Sequence, residues 1–277
     1  MAKPLFGVST HLYHNHRLSR DHLLEIAAHG FDRVELFATR THIDFHSESA
    51  VADLQQWLSE AGLTLHGVHA PIGESFAGGR WGPPLSIASP SDDARSRALA
   101  EVERALHIAR RLPFGVLVTH LGLPRPAENS RDAARRSIDA LSEQARLLGV
   151  RLALEVIPNE LSRANTLAHF LEEVVDVPEA GICLDFGHAH MDGDLVDAVE
   201  TVSEHLIATH MHDNRGRTDD HLVPFEGTID WEAALTAVQK VGYEGTLVFE
   251  VAAHGSTKGT LKKLANARER MERLLVF

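Results

Sequence analysis

The sequence predicts an α/β fold, a closed (β/α)8 barrel of the TIM type, in a single domain that spans residues 1–277. Short apolar runs alternate with longer amphipathic stretches along the whole chain. The runs are rich in Val, Ile, Leu and Phe, as strands covered on both faces are. Eight strands that alternate with eight helices at this length are typical of such a barrel.

The predicted strands are short apolar runs bounded by turn or capping residues. In chain order they are Pro4–Thr10, Asp32–Ala38, Leu63–Ala70, Gly115–Gly122, Arg151–Ile157, Gly181–Phe186, Leu206–His212 and Thr246–Val251.

The predicted helices begin at capping residues, and several of them end at glycine, the usual left-handed stop. In chain order they are Ser19–Gly30, Ser49–Gly62, Ser91–Leu112, Ser130–Gly149, Asn165–Val175, Asp194–His205, Asp230–Gly242 and Thr260–Leu275.

A doubly wound open sheet is the alternative to the barrel. That fold usually has a glycine-rich fingerprint after its first strand, and the segment Gly7–His11 is not one. The longest irregular stretch, Pro71–Pro84, follows the third strand. Long irregular loops in compact domains are usually functional, so we expect this loop on the catalytic rim.

Composition excludes several classes of function. The formal net charge of −12 disfavours nonspecific binding to nucleic acid or to an anionic membrane. No apolar run approaches the roughly 20 residues of a membrane span, and the first residues do not resemble a secretory signal. A single cysteine fits a reducing compartment, so we expect a cytoplasmic protein. The unusual feature is histidine, because 19 of them outnumber the 11 phenylalanines.

Polar side chains end six consecutive predicted strands, from the third to the eighth. Active sites of (β/α)8 barrels lie at the carboxyl ends of the strands. Ionisable groups at the ends of apolar runs are costly unless they are paired or coordinated. Imidazoles and carboxylates on converging strands can bind a divalent cation, so this pattern predicts a metal site. The residues are His69, His120, Glu155, Asp185, His210 with His212, and Glu250.

The alternation of side chains along each strand supports the same site. An inward Glu155 implies an inward Ala153, and the same parity joins Asp185 to Cys183 and His210 to Ala208. Val248 lies below Glu250 in the same way. The polar layer would therefore rest on small apolar side chains. Glu155 and Glu250 come from different walls, so one could remove a proton from a bound substrate and the other could return it. The predicted metal ligands are Glu155, Asp185, His210 and Glu250.

Five motifs carry a resemblance to a known group of proteins. They are Leu154-Glu155, Cys183–His188, His210–Asn214, Phe249-Glu250 and Asp220–Trp231. With them the sequence resembles the xylose isomerase-like barrel superfamily, which contains sugar isomerases and epimerases, inosose dehydratases and the endonuclease IV (AP endonuclease family 2) group.

The resemblance implies one shared metal site, made by the four predicted ligands. In the ketose 3-epimerase branch, Glu155 and Glu250 would also form the acid/base pair, and His188 would contact a substrate hydroxyl or carbonyl. His212 has the same parity as His210, so either could face the pocket; we favour His210 as the ligand because an acidic residue then follows at the family's spacing. Leu161 departs from the epimerases, which carry a second acidic contact at that position.

Endonuclease IV offers a second match, because its three zinc ions are held by nine residues and this sequence has a candidate for each. The acidic net charge and the single Arg80 in the loop after the third strand oppose a DNA-binding function. Additional metal ligands on this reading are His69, His120, His188, Asp219 and His221.

The leading hypothesis is therefore a metal-dependent isomerase or epimerase that acts on a sugar or polyol-like substrate through glutamate-mediated proton transfer and a metal-stabilised enediolate. The alternatives are a multinuclear zinc phosphodiesterase, an inosose dehydratase-like lyase, and a barrel that binds metal or sugar without turnover. Three carboxylates favour Mn or Mg and the surrounding imidazoles favour Zn, with Co also compatible. A small sugar-like molecule is the expected partner, and self-association into a homo-oligomer stays open. The predicted substrate-binding residues are His188, His212, Arg217, Glu35 and Trp81.

Overall fold

Eight parallel strands close into a barrel in the computed structural model, which describes residues 4–124, 126–173 and 177–275. The first and last strands pair directly, with Gly7 beside Val248, and this pairing closes the ring. The barrel strands are β1 (Leu5–Ser9), β2 (Arg33–Phe37), β3 (Thr64–His69), β6 (Val116–His120), β7 (Arg151–Glu155), β8 (Ala180–Asp185), β9 (Leu206–Met211) and β10 (Thr246–Phe249).

The neighbours around the ring are β1-β10-β9-β8-β7-β6-β3-β2, so every barrel strand pairs in parallel with the strands before and after it in the chain. The predicted (β/α)8 barrel is confirmed. Each predicted strand forms a barrel strand, and its bounds shift by at most two residues.

Helices cover the outside of the barrel. Most helices end at a position that a glycine or a change in polarity marks in the sequence. Gly62, for example, ends its helix in the left-handed conformation with φ of 66°. The helices are α1 (Arg20–Ala28), α2 (Glu48–Ala61), α3 (Asp92–Leu106), α4 (Arg131–Leu148), α5 (Ala164–Glu173), α6 (Phe186–Asp192), α7 (Leu195–Thr201), α8 (Trp231–Lys240) and α9 (Thr257–Leu274).

Several helix predictions need correction. The helix predicted to begin at Thr260 begins at Thr257, with Ser256 as its N-cap. The helix predicted to reach Leu112 ends at Leu106 and continues as a tighter 3-10 helix over His107–Arg110. The one predicted over Asp194–His205 is α7 followed by a 3-10 turn over Ser203–His205. Helix α6 was not predicted. It starts immediately after β8, where the Asp185 side chain accepts a hydrogen bond from the backbone N–H of His188 at 2.7 Å. The predicted end of the fifth helix, Val175, lies outside the described residues.

The loop Pro71–Pro84 is not irregular throughout, as the sequence analysis expected. Its centre forms an antiparallel hairpin of β4 (Phe76–Ala77) and β5 (Arg80–Trp81). Gly78 and Gly79 make the turn with φ of 57° and 73°, a conformation that favours glycine. The rings of Phe76 and Trp81 pack with their centres 4.9 Å apart, so the hairpin holds Trp81 at one edge of the barrel mouth.

The apolar core has two parts. A large layer lies between the strands and the surrounding helices. A small cluster, made of Val116, Val118, Ala153, Cys183 and Ala208, fills the inside of the barrel. It contains three of the four small residues predicted beneath the polar layer; Val248 is buried but lies outside this cluster. In the described part of the chain, no helix combines the length and the apolarity that a membrane crossing requires.

Candidate metal and sugar site

A cavity of about 440 Å³ opens at the carboxyl ends of the barrel strands. This is the end at which (β/α)8 barrels carry their active sites. Its volume lies within the range of small-molecule pockets. The described residues that line it are His11, Phe37, His69, Ile72, Trp81, Gly82, Pro84, His120, Leu123, Pro124, Glu155, Ile157, Pro158, His188, Asp219, His221 and Glu250.

Glu155 lies at the centre of the cavity floor, at the end of β7, and three imidazoles surround it. The Nε2 atoms of His69 and His120 lie 3.0 and 2.9 Å from its Oε2. The Nδ1 atom of His210 lies 2.9 Å from its Oε1. Burial alone would raise the pKa of Glu155, but the charges and hydrogen bonds of His210 and His120 hold it well below its usual range. Burial would likewise lower the pKa of His69, and its bond to Glu155 raises that pKa to about 9.

His210 joins this carboxylate to two others. Its Nδ1 also lies 3.5 Å from Oε2 of Glu250, while its Nε2 lies 3.0 and 3.2 Å from the two oxygens of Glu35. All three partners are buried. A histidine that binds a metal through one nitrogen usually gives its other N–H to a carboxylate, which fixes the ring. The geometry therefore suits His210 as a ligand through Nδ1, with Glu35 behind it.

Asp185 ends β8 beside the second buried histidine of strand β9. Oδ1 of Asp185 lies 3.0 Å from Nε2 of His212, and neither side chain is accessible to solvent. Oδ2 of Asp185 and Nδ1 of His212 are buried and have no hydrogen-bond partner among the described residues. Such atoms are costly in a protein interior unless a cation or another polar group satisfies them. The donor set thus fits a divalent cation.

A second cluster lies beside the first, on the loop after β9 and on α6. Nε2 of His188 lies 3.1 Å and Nε2 of His221 lies 3.2 Å from the same oxygen of Asp219. Nε2 of His212 lies 3.6 Å from the other oxygen. Burial opposes the charged imidazoles, but Asp185 and Asp219 raise the pKa of His188 to about 10, and Asp219 raises that of His221 to about 9.

The predicted metal-ligand candidates are thus brought together in four groups, three of which share residues. Within each group, ligand-type atoms lie within 4.8 Å of one another. One group is the predicted set of four, and Glu155 also belongs to a second group with His69 and His120. The groups are Glu155-Asp185-His210-Glu250, His69-His120-Glu155, His69-His210-Glu250 and His188-His212-Asp219-His221.

The predicted substrate-binding residues divide into those in the cavity and those outside its described lining. His188 and Trp81 line it. His212 is buried beneath it, Glu35 contacts His210 instead of the cavity, and the exposed Arg217 lies outside the lining.

Sequence reasoning missed two features of the site. The first is its apolar upper wall, including Ile72, Leu123 and Ile157, which lie two or three residues after the predicted polar strand ends. The second is the support of the loop after β9 by Asp213. This buried carboxylate accepts hydrogen bonds from the backbone N–H of Phe225 at 2.9 Å and from the indole N–H of Trp231 at 2.8 Å. The Asp-Trp pairing could not be read from spacing alone.

The fold and the side chains on its strand ends place the protein in a class of (β/α)8 barrels whose mouth carries carboxylates and imidazoles, the side chains that bind divalent metals. The chain belongs to the xylose isomerase-like TIM barrel family, whose model matches residues 23–275.

Individual relatives extend this finding. The chain is 25% identical over 238 residues to a D-psicose 3-epimerase of Ruminiclostridium cellulolyticum, covering 82% of this chain and 75% of that one. It is also 25% identical over 238 residues to an L-ribulose-5-phosphate 3-epimerase of Salmonella paratyphi A, covering 80% and 78%. A solved D-tagatose 3-epimerase-like protein superposes with a TM-score of 0.79 at 25% identity, covering 98% of this chain and 97% of the other.

Proposed function

We propose that residues 1–277 form one metal-dependent epimerase or isomerase domain that acts on a sugar. The observation that carries this proposal is a group of three buried carboxylates and one imidazole with ligand-type atoms within 4.8 Å of one another. Two of its members, Glu155 and Glu250, line the cavity. The relatives that act on ketoses support the sugar as substrate. The three carboxylates favour Mn or Mg, and the neighbouring imidazoles make Zn or Co alternatives. The proposed ligands are Glu155, Asp185, His210 and Glu250.

A divalent cation held there would polarise a substrate carbonyl and the adjacent hydroxyl. Glu155 and Glu250 lie on walls of the barrel that are separated by β8 and β9. One of them would take the proton from the carbon beside the carbonyl, and the other would deliver a proton to the opposite face. His188 lines the cavity and would hold a substrate hydroxyl, while Glu35 fixes the ring of His210.

The test measures exchange of the substrate proton with solvent. The metal-loaded protein is incubated with a panel of ketoses in D2O, and deuterium incorporation beside the carbonyl is followed by NMR. The same spectra give the rate of conversion to the epimer, which Glu250→Gln should lower by at least about 100-fold, within the range that positioned proton transfer contributes. Glu244→Gln, an exposed residue at the opposite end of β10, is the matched control and should leave the rate unchanged. Conversion to the epimer that persists at the unaltered rate in Glu250→Gln contradicts the assignment, because inversion needs a proton donor on each face.

The dehydratase alternative shares the first proton abstraction but ends in loss of water. The same NMR experiment separates the two, because a lyase gives an unsaturated product that has lost a hydroxyl group and an epimerase gives a stereoisomer that keeps all of them.

A multinuclear zinc phosphodiesterase is the second candidate, favoured by the His188-His212-Asp219-His221 group beside the first site. Its additional ligands would be His69 and His120 on one side, and His188, Asp219 and His221 on the other. It predicts about three zinc ions per chain and incision of DNA at abasic sites. The net charge of −12 opposes it. A single ion per chain and intact abasic DNA would eliminate it.

A further inference from the structure

The described lining of the cavity is divided into a polar half and an apolar half. The order of strands around the barrel places β8, β9, β10 and β1 on one side and β2, β3, β6 and β7 on the other. The first side contributes His11, His188, Asp219, His221 and Glu250. Above the floor residues His69, His120 and Glu155, the second side contributes an apolar wall, which consists of Phe37, Ile72, Trp81, Pro84, Leu123, Pro124, Ile157 and Pro158.

Trp81 is the most prominent part of the apolar wall. The ring of Trp81 packs against the rings of Phe76 and Phe37, whose centres lie 4.9 and 6.1 Å from its own. Gly73 allows the close approach of the indole, because a Cβ atom at that position would lie 3.0 Å from a ring carbon of Trp81. The residue is nevertheless 41% exposed. A large aromatic side chain is therefore held in place in the lining of a polar site and is partly accessible to solvent.

The division of the cavity bears on the shape of its ligand. A free hexose carries hydroxyls along its whole length, and a hydroxyl buried against side chains that cannot hydrogen-bond is penalised. The side chains of the apolar wall supply one polar group, the indole N–H of Trp81. Nor do the described lining residues include a Lys or Arg to pair with a phosphate. A ligand with one polar end and one apolar end matches both halves.

We propose that the natural substrate is a ketose that carries an uncharged, aryl-sized apolar substituent at the end away from its carbonyl. The carbonyl end lies over Glu155 and Glu250, and the substituent lies against the apolar wall and covers Trp81. This inference rests on the proposed sugar epimerase or isomerase function and narrows its substrate class.

Three matched probes test the proposal: D-fructose, its 6-phosphate and its 6-O-benzyl ether. They share the carbonyl end and differ only at the far end. Dissociation constants are measured by calorimetry with the manganese-loaded protein. The benzyl ether should bind at least about tenfold tighter than fructose, as burial of an aromatic ring predicts. Equal binding of the benzyl ether and fructose overturns the proposal, and so does tightest binding of the phosphate.

Variants locate the preference within the cavity. Trp81→Ala and Leu123→Ser remove apolar surface at half-exposed positions, and each should reduce the preference for the benzyl ether by at least about threefold. Leu147→Ala truncates an exposed leucine of α4, 72% accessible, and should keep the full preference. A preference that is the same in the Trp81 and Leu123 variants as in the unaltered protein contradicts the placement of the substituent.

Failure of this inference differs from failure of the proposed function. If solvent deuterium exchanges into fructose but the benzyl ether has no advantage, only the substrate class is wrong. If none of the three probes exchanges deuterium, while the benzyl ether still binds tighter in a Trp81-dependent manner, the cavity division stands and the proposed reaction falls.

Discussion

The contact between Glu35 and His210 should contribute measurably to the affinity of the proposed site for a metal ion. Both side chains are buried, and Nε2 of His210 lies 3.0 Å from the nearer oxygen of Glu35. A hydrogen bond to a charged group contributes about 1.5–3 kcal/mol. Since about 1.4 kcal/mol corresponds to a factor of ten, Glu35→Gln should weaken metal binding by about 10- to 100-fold. The same range is typical for carboxylates that orient metal-binding histidines.

The assay for Glu35→Gln is a competition titration of Mn²⁺ or Zn²⁺ against a chelator of known affinity. The folded fraction is checked by circular dichroism before each titration. The chain supplies a matched control in His46 and Glu101, a pair with a similar imidazole-carboxylate contact of 2.9 Å on the outside of the barrel. Glu101→Gln should leave the metal affinity unchanged. If Glu35→Gln changes the affinity by less than about twofold, Glu35 does not act through His210.

Three further predictions concern the framework of the site. Asp213→Leu removes the acceptor of the Phe225 and Trp231 N–H groups and leaves those donors buried, so we expect a loss of about 3 kcal/mol in unfolding free energy, measured by urea denaturation; an unchanged midpoint contradicts this role. Ala153→Leu overfills the small cluster inside the barrel and should cost about 1–3 kcal/mol in the same assay, whereas equal stability would indicate unfilled space there. The folded-state pKa of His69 is raised to about 9 and that of His188 to about 10. The contribution of these two charged imidazoles to stability is therefore complete below about pH 6.5 and is lost as the pH rises through their pKa values. The melting temperature of chelator-treated protein should fall between pH 6.5 and pH 10, and a rise would refute the charge pairing.

The barrel and the ends of its strands could be predicted because polar side chains interrupt apolar runs at regular places in the sequence. Glu155 and Glu250 each follow a run that has the length of one strand, so their position at the mouth followed from the fold class. Helix α6 could not be predicted in this way. Its cap, Asp185, ends strand β8 as well, and the helix that follows has only 7 residues.

The parity of strand β9 could not assign separate roles to its two histidines. His210 and His212 point to the same side because side chains alternate with a period of two. The structure separates them by their partners. His210 contacts Glu35 and Glu155, while His212 lies between Asp185 and Asp219. Glu35, Glu155 and Asp185 come from three other strands and Asp219 comes from the loop after β9, so the proximity of these partners depends on the closed ring.

The imidazoles around Glu155 predict that metal binding at the proposed site is coupled to proton release. His69 has a pKa of about 9 beside this carboxylate, so it carries a proton at neutral pH that a divalent cation would have to displace or repel. Metal affinity should therefore rise with pH across the range in which stability of the chelator-treated protein falls. If one shared group of charges controls both quantities, metal affinity rises with pH while stability falls, when both are measured on the same preparation. Parallel slopes would mean that the cation binds away from Glu155.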